Sequence, residues 1–305
     1  MRYIKKFLIF IIFVTVALPV SADGISKLVS QYRDMLQSVY PIYYNDKKPH
    51  CHSFRIHKHW LLTAAHCLNK LIEEDGMLSY QITPSLAKER IKGIAGLRQY
   101  GIIFEPLKKD STDDTASVYF INGSGKLPYF ATEESSAQDL ALIRLNYENE
   151  VDVEAELRKN ISAGDISSLL KKMPKMQWDF FKTSFFRTPV SDFKILTGPS
   201  AGSIQQKISG RDMVAFPLFL DEKVYIFTGE KSSDGYILNT LSWATYETNG
   251  LSGSSFFHKN ILIGTYWGGG GNQCMLVAYD DKFKKFIYEK MGKEAAGIKF
   301  IQAFE

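Results

Sequence analysis

The segment 61–67, with the sequence LLTAAHC, places a histidine directly after a hydrophobic strand and directly before a cysteine. His66 has a catalytic use only where an acid orients its ring and a nucleophile receives its help. Both kinds of residue occur later, since Asp139 opens the run DLALIRL and Ser252 lies in the run GLSGSS. The chain order His, Asp, Ser is one of the known orders of a serine-hydrolase triad.

These three stretches resemble the trypsin/chymotrypsin-like serine proteases, and the resemblance covers roughly residues 38–291. It implies an all-β fold of two antiparallel six-stranded β-barrels with a C-terminal helix. It also implies a serine endopeptidase that works through an acyl-enzyme. His66 would act as the base and then the acid, and Asp139 would orient its ring. Ser252 would be the nucleophile, and the backbone N–H groups of Gly250 and Ser252 would form the oxyanion hole.

The three cysteines are Cys51, Cys67 and Cys274. By the same resemblance, Cys51 and Cys67 form the disulfide that closes the loop beside the catalytic histidine. Such a bridge over a loop of about 15 residues is worth roughly 3 kcal/mol. Cys274 precedes the apolar run MLVAY, which favours a buried thiol, with an intermolecular disulfide as the alternative. The histidine-rich segment 50–59 looks like a metal site, but the disulfide explains Cys51, and we predict no metal and no cofactor.

Departures from the family pattern bear on how such an enzyme becomes active. Leu251 stands where zymogen-type relatives have an acid that binds a freed N-terminus, and no Ile-Val-Gly-Gly-like sequence precedes the strand at Tyr40. We therefore predict an enzyme similar to the bacterial, non-zymogen branch. His52 and Ser53 replace two glycines usual after the first cysteine, and we expect them to crowd the leaving-group side. Ser254 stands where a Gly-x-Ser-x-Gly pattern has its second glycine.

The substrate-binding residues are assigned by position. Tyr246 falls at the base of the specificity pocket and Glu247 follows it, without the aspartate of trypsin-like pockets. Glu247 would attract a basic substrate side chain if it points inward, and the alternative is a solvated wall residue. Tyr266, Trp267 and Gly268 resemble the strand that pairs with the substrate backbone. These residues leave the preferred substrate side chain undefined.

Residues 1–22 are predicted to be a signal peptide. Three basic residues precede an apolar run of twelve residues, 7–18, which is shorter than the roughly 20 residues that span a membrane. Small residues at 20–22 suit cleavage, and an uncleaved anchor helix is the alternative. After cleavage we expect a secreted or periplasmic protein with no stable membrane anchor.

The charge of the mature chain limits the kinds of partner that it binds. The signal contains three basic residues and no acid, so the 37 Lys and Arg become 34 against 33 Asp and Glu. A formal charge near +1 implies no nucleic-acid or membrane-surface partner. The expected partner is a polypeptide substrate.

Short apolar strands with turn signals between them indicate a barrel or sandwich architecture. The predicted strands lie at 39–44, 53–56, 60–63, 101–104, 117–120, 214–220, 224–228, 242–246, 256–257, 261–266 and 274–278. The predicted segments are a signal peptide (1–22), an N-terminal helical segment (23–37), a first barrel (38–150), an inter-barrel connection with helical insertions (151–189), a second barrel (190–281), and a C-terminal helix and tail (282–305).

Two other functions remain open for such a sequence. The same triad would also serve a narrow esterase or processing enzyme. A catalytically silent protease-like protein would instead keep the fold as a binding or adhesion surface, although the intact triad disfavours this function.

Overall fold

The computed structural model describes residues 35, 38–43, 50–68, 79–86, 100–106, 116–122, 138–145, 190–200, 212–215, 225–231, 237–240, 250–270 and 273–302. All of them lie in one compact unit, Asp34–Glu305. The predicted signal peptide, the predicted helical segment apart from residue 35, and the predicted connection before residue 190 lie outside the described residues. None of the described helices is long and apolar enough to cross a membrane.

The described residues form fifteen strands, one α-helix and two 3₁₀ turns. The strands are β1 (Val39–Tyr43), β2 (Cys51–His57), β3 (Trp60–Thr63), β4 (Ser79–Leu86), β5 (Tyr100–Pro106), β6 (Ala116–Phe120), β7 (Ala141–Leu145), β8 (Lys194–Gly198), β9 (Asp212–Ala215), β10 (Tyr225–Lys231), β11 (Ile237–Thr240), β12 (Ser255–His258), β13 (Ile261–Gly270), β14 (Gln273–Asp280) and β15 (Phe300–Gln302). The helix α1 spans Asp281–Met291, and the 3₁₀ turns span Ala65–Leu68 and Gly292–Gly297.

The first sheet closes into a barrel in the order β1-β2-β3-β7-β6-β4-β5. Its neighbouring strands are antiparallel except where β1 meets β5 in parallel, with Ile42 opposite Ile102. Burial alternates along β6, as expected of a strand with one face turned to a core. The buried apolar side chains inside include Ile42, Leu61 and Ile143.

The second sheet has eight described strands in the order β11-β10-β9-β12-β13-β14-β8-β15. Strand β8 runs parallel to β13, β14 and β15, whereas the remaining pairs are antiparallel. A mostly β protein with two sheets and a C-terminal helix is thus confirmed. The predicted six strands per barrel are not confirmed, because the first barrel has seven strands and the second sheet has eight.

The C-terminal helix α1 begins at a side-chain cap and ends at a glycine. The Asp280 carboxylate accepts a hydrogen bond from the Phe283 N–H at 2.9 Å, which is worth about 1 kcal/mol. Phe283, Ile287 and Met291 recur every four residues, so one face of the helix is buried. In the 3₁₀ turn that follows, Glu294 accepts a hydrogen bond from the Trp60 indole at 2.7 Å. This bond ties the C-terminal region to strand β3 of the first barrel.

Candidate active site

His66 lies in the 3₁₀ turn that immediately follows strand β3. Its neighbour Cys67 is joined to Cys51 at the start of β2, with the two Cα atoms 5.9 Å apart. The predicted disulfide is therefore present. Because the bridge links this turn to the adjacent strand, it restricts the positions that the His66 backbone can adopt.

Asp139 holds His66 through both carboxylate oxygens. Oδ2 lies 2.6 Å from the ring Nδ1, and Oδ1 accepts the His66 backbone N–H at 2.8 Å. The pairing of β3 with β7, with Thr63 opposite Ala141, explains the contact. Asp139 comes two residues before Ala141, and His66 comes three residues after Thr63, so both lie just beyond the same end of the strand pair.

The Asp139 carboxyl that contacts the His66 ring lies in a buried environment. Asp139 is fully buried, and this burial raises the pKa of its carboxyl, while hydrogen bonds from His66 and from the Ala65 backbone act to lower that pKa. An ionised carboxylate only accepts hydrogen bonds, so an ionised Asp139 would accept from Nδ1–H and leave the Nε2 lone pair of a neutral ring available. The His66 side chain is 27% exposed, so an incoming molecule can reach it.

Ser252 lies in a tight turn whose backbone favours glycine at two positions. Gly250 and Gly253 have φ angles of +87° and +79°, which L side chains rarely adopt. A Cβ on Gly253 would lie 2.1 Å from the His52 carbonyl oxygen and 2.4 Å from the Thr63 hydroxyl oxygen. The loop therefore packs directly on strands β2 and β3 of the first barrel.

Hydrogen bonds to strand β13 hold the other side of this loop. The Gly253 N–H donates to the Tyr266 carbonyl at 3.0 Å, and the Tyr266 N–H donates to the Ser254 carbonyl at 2.7 Å. The Ser254 N–H closes the turn on the Leu251 carbonyl at 2.9 Å. The backbone around Ser252 is thus bonded on both sides.

Ser252 and His66 are linked through the disulfide. The His52 N–H donates to the Ser252 carbonyl at 2.8 Å, and His52 directly follows Cys51, which is bonded to Cys67 beside His66. The contacts of the described residues include no hydrogen bond between the His66 ring and the Ser252 hydroxyl. Asp139 and His66 are therefore in contact, whereas the complete triad with Ser252 stays a prediction.

The predicted oxyanion donors are the N–H groups of Gly250 and Ser252. Within the described part of the chain, neither group donates to another backbone carbonyl. Both flank Leu251, which is buried. The role of both N–H groups in an oxyanion hole stays a prediction.

Three solved structures are similar to this chain over most of its length. Human heparin binding protein has a TM-score of 0.43 and 12% identity, covering 85% of this chain and 93% of its own. The scabies mite inactivated protease paralogue S-I1 has a TM-score of 0.41 and 12% identity, covering 85% and 96%. A Glu endopeptidase has a TM-score of 0.39 and 14% identity, covering 85% and 92%. No protein-family model matches the chain, and no curated protein matches it. At these identities and TM-scores, the likenesses assign no activity to this protein.

The predicted substrate-binding residues divide into two groups. Tyr246 and Glu247 lie outside the described residues. Tyr266, Trp267 and Gly268 lie on β13, where the pairing with β14 shifts register between Tyr266 and Gly268. The Tyr266 side chain is buried, whereas Trp267 and Gly268 are partly exposed. The role of all five in substrate binding stays a prediction.

The sulfur and nitrogen atoms around His66 resemble a metal site at first sight. Ligand-type atoms of Cys51, His66 and Cys67 lie within 4.8 Å of one another. Both sulfurs are joined in the disulfide, so neither is the thiolate that a metal ion needs. The cluster is explained by the disulfide and by the bond between His66 and Asp139.

His52 is a site residue whose role the sequence did not predict. Its ring is fully buried, and its Nδ1 lies 2.6 Å from the Gly250 carbonyl oxygen. Burial lowers the pKa of His52 to about 4. The available sequence signal was a histidine, in place of a glycine, beside a disulfide cysteine. The expected crowding of the leaving-group side by His52 and Ser53 stays a prediction.

Proposed function

We propose that this protein is a secreted serine endopeptidase that uses His66, Asp139 and Ser252. The observation that carries the proposal is the buried Asp139 carboxylate, bonded to Nδ1 of a histidine ring that is partly exposed. Burying a carboxylate costs free energy unless hydrogen bonds compensate for the lost water. A buried acid that orients an accessible imidazole is the arrangement that a general base requires.

The first chemical step is attack by the Ser252 hydroxyl on the scissile carbonyl carbon. His66 Nε2 takes the hydroxyl proton while the new C–O bond forms, and Asp139 stabilises the resulting imidazolium. The carbonyl oxygen becomes an oxyanion that accepts hydrogen bonds from the N–H groups of Gly250 and Ser252. One such donor lowers the barrier by roughly 3–4 kcal/mol.

The second half of the reaction returns the enzyme to its starting state. His66 gives its proton to the leaving amine, the C–N bond breaks, and the acyl group stays on Ser252. Water then attacks the ester carbonyl, with His66 again acting as the base. The proton returns to the Ser252 oxygen as the acid product leaves.

Two features support the placement of Ser252 in this scheme. Its carbonyl is bonded to His52, one residue from the disulfide whose other end adjoins His66. The positive φ angles at Gly250 and Gly253 give the tight turn that presents a nucleophile between two glycines. Both features favour an approach of the Ser252 hydroxyl to the exposed side of the His66 ring.

Export is part of the proposal. The predicted signal peptide would direct the chain to an oxidising compartment, where the Cys51–Cys67 bridge persists. The expected product is a secreted or periplasmic enzyme.

Labelling with a fluorophosphonate tests the proposal directly, because the probe reacts with an activated serine. We expect the wild type to label and Ser252→Ala to remain unlabelled. Ser254→Ala is the matched control, since the Ser254 hydroxyl is buried without a hydrogen-bond partner among the described residues. It should label as the wild type does.

Cleavage-site profiling on a denatured proteome then distinguishes the kinds of hydrolase. New termini that disappear in Ser252→Ala would support an endopeptidase. Hydrolysis of activated esters without any peptide cleavage would instead indicate an esterase. A folded wild type that does not label, even at alkaline pH, would overturn the catalytic proposal in favour of a binding protein.

A further inference from the structure

His52 contacts the loop around Ser252 through both its ring and its backbone. Its Nδ1 lies 2.6 Å from the Gly250 carbonyl oxygen, and its N–H donates to the Ser252 carbonyl at 2.8 Å. The His52 carbonyl in turn accepts the Thr63 hydroxyl at 2.7 Å, which ties His52 to strand β3. One residue of the first barrel thus holds two peptide groups of the loop.

These two peptide groups flank the one that carries the Ser252 N–H. The Gly250 carbonyl belongs to the peptide group before Leu251, and the Ser252 carbonyl belongs to the peptide group before Gly253. The peptide group between them carries the Ser252 N–H, the candidate oxyanion donor. Each peptide group is a rigid plane, so fixing the two outer planes restricts the rotation of the middle one.

The residue before Ser252 offers no charge by which the loop could be held. Leu251 is apolar and 2% exposed, so its side chain anchors the loop by burial alone, without direction. Hydrogen bonds have a preferred geometry. The contacts of His52 therefore give the loop a direction that the burial of Leu251 does not.

We propose that His52 is a positioning residue that aims the Ser252 N–H, a candidate oxyanion-hole donor, by holding the Gly250 and Ser252 carbonyls. This inference rests on the proposed serine-hydrolase function, and it assigns His52 no contact with the reacting atoms. The ring acts as a fixed donor built into strand β2.

The hydrogen-bond chemistry of the ring defines which form of His52 does this. A carbonyl oxygen only accepts, so Nδ1 carries the proton in the bond to Gly250. Nε2 is buried and has no hydrogen-bond partner among the described residues. A proton on Nε2 would bury a positive charge, and this burial lowers the pKa of His52 to about 4. The neutral ring with its proton on Nδ1 is the form that holds the loop at neutral pH.

Two substitutions of His52 separate positioning from packing. His52→Asn keeps an N–H donor near the place of Nδ1, whereas His52→Leu fills the space without a donor. The readout is the burst of a p-nitrophenyl ester, which resolves the acylation rate constant from the dissociation constant of the ester. His258→Leu, at the end of strand β12, is the matched control for replacing a histidine by leucine.

Removing one oxyanion donor slows acylation by about 10²–10³-fold. We therefore expect His52→Leu to slow acylation by about tenfold or more. The dissociation constant of the ester should change by less than about twofold, because His52 does not contact the ester. His52→Asn should restore acylation to within about threefold of the wild type, because it restores the donor. Acylation by His52→Leu at the wild-type rate would overturn the inference. An equal loss in both variants would also overturn it, because the donor would then have no effect.

A measurement on the wild type keeps the inference testable even where a variant does not fold. Nitrogen-15 NMR of labelled histidine, with His52 assigned through its backbone, should show the proton on Nδ1 at neutral pH. A ring protonated on Nε2 instead would overturn the inference, since it has no donor for the Gly250 carbonyl. Fluorophosphonate labelling of the wild type tests the proposed function independently, so a labelled wild type with an Nε2-protonated ring refutes the role of His52 alone.

Discussion

Asp139 binds His66 twice, through the ring Nδ1 at 2.6 Å and through the backbone N–H at 2.8 Å. The two bonds have different consequences. The backbone bond sets the position of the 3₁₀ turn, whereas the ring bond sets which nitrogen carries the proton. The catalytic proposal depends on the bond to the ring Nδ1.

The substitution Asp139→Asn should therefore remove activity without unfolding the protein. An asparagine keeps the size of the side chain but can donate to Nδ1, which favours the wrong tautomer of His66. We expect kcat on an activated ester to fall by about 10⁴-fold. Asp192→Asn, at an exposed aspartate bonded to Lys299, is the matched control and should retain activity. A loss of less than tenfold in Asp139→Asn would contradict the role given to the acid.

The substitution Gly253→Ala should destabilise the folded protein strongly. The added Cβ would meet the His52 carbonyl oxygen at 2.1 Å, at a φ of +79° that alanine rarely adopts. Strain and overpacking together should lower the free energy of unfolding by about 3 kcal/mol or more. Gly268→Ala is the matched control, because its Cβ would meet no atom within 4 Å. Urea unfolding compares the two, and equal stabilities would show that the loop does not pack on β2 and β3.

Acid should weaken the fold through His52. Burial lowers its pKa from 6.5 to about 4, so between these values the folded state binds fewer protons than the unfolded chain. The free energy of unfolding then rises with pH across this window. The contribution of His52 to the free energy of unfolding is therefore complete above about pH 6.5 and is lost as the pH falls towards 4. The loss over this window amounts to about 3 kcal/mol.

Other groups titrate in the same window, so the comparison needs a variant. His52→Asn has no ionisable group at this position and should lack this component of the pH dependence. Urea unfolding of both proteins between pH 4 and 7 gives the difference. Parallel curves for the two proteins would refute the buried neutral state of His52.

Breaking the disulfide should affect both stability and reactivity. The double substitution Cys51→Ala and Cys67→Ala removes a cross-link over a sequence separation of 16, so the free energy of unfolding should fall by about 3 kcal/mol. The link between His52 and His66 is lost with it, so fluorophosphonate labelling should slow even in the fraction that remains folded. Cys274→Ala leaves the bridge intact and should retain both properties. Unchanged labelling in the double variant would separate the bridge from the site.

Local pattern was sufficient to predict the strands next to the site. The segments 53–56 and 60–63 were predicted as strands and form the cores of β2 and β3, and the helical spacing of Phe283, Phe286 and Ile287 predicted α1. Other strands have weaker signals. Strand β4 contains Pro84, which normally argues against a strand, and β15 has only three residues.

The pairing of strands far apart in the chain could not be predicted from the sequence. The closure of the first barrel depends on the parallel pairing of β1 with β5, between segments about sixty residues apart. The ring of His52 was likewise unpredictable, because its partner Gly250 lies 198 residues away. The order of His66, Asp139 and Ser252 could be read because each lies in a distinctive local setting. The residue that holds the loop around Ser252 has no such local pattern.

The packing of Gly253 against strands β2 and β3 also has a consequence for biosynthesis. Strands β2 and β3 belong to the N-terminal half of the chain, whereas Gly253 belongs to the C-terminal half. A partly synthesised chain that lacks the C-terminal half therefore lacks this contact. Under the proposed function, such a chain would not yet hold Ser252 near His66, so hydrolytic activity would begin only after both halves have folded.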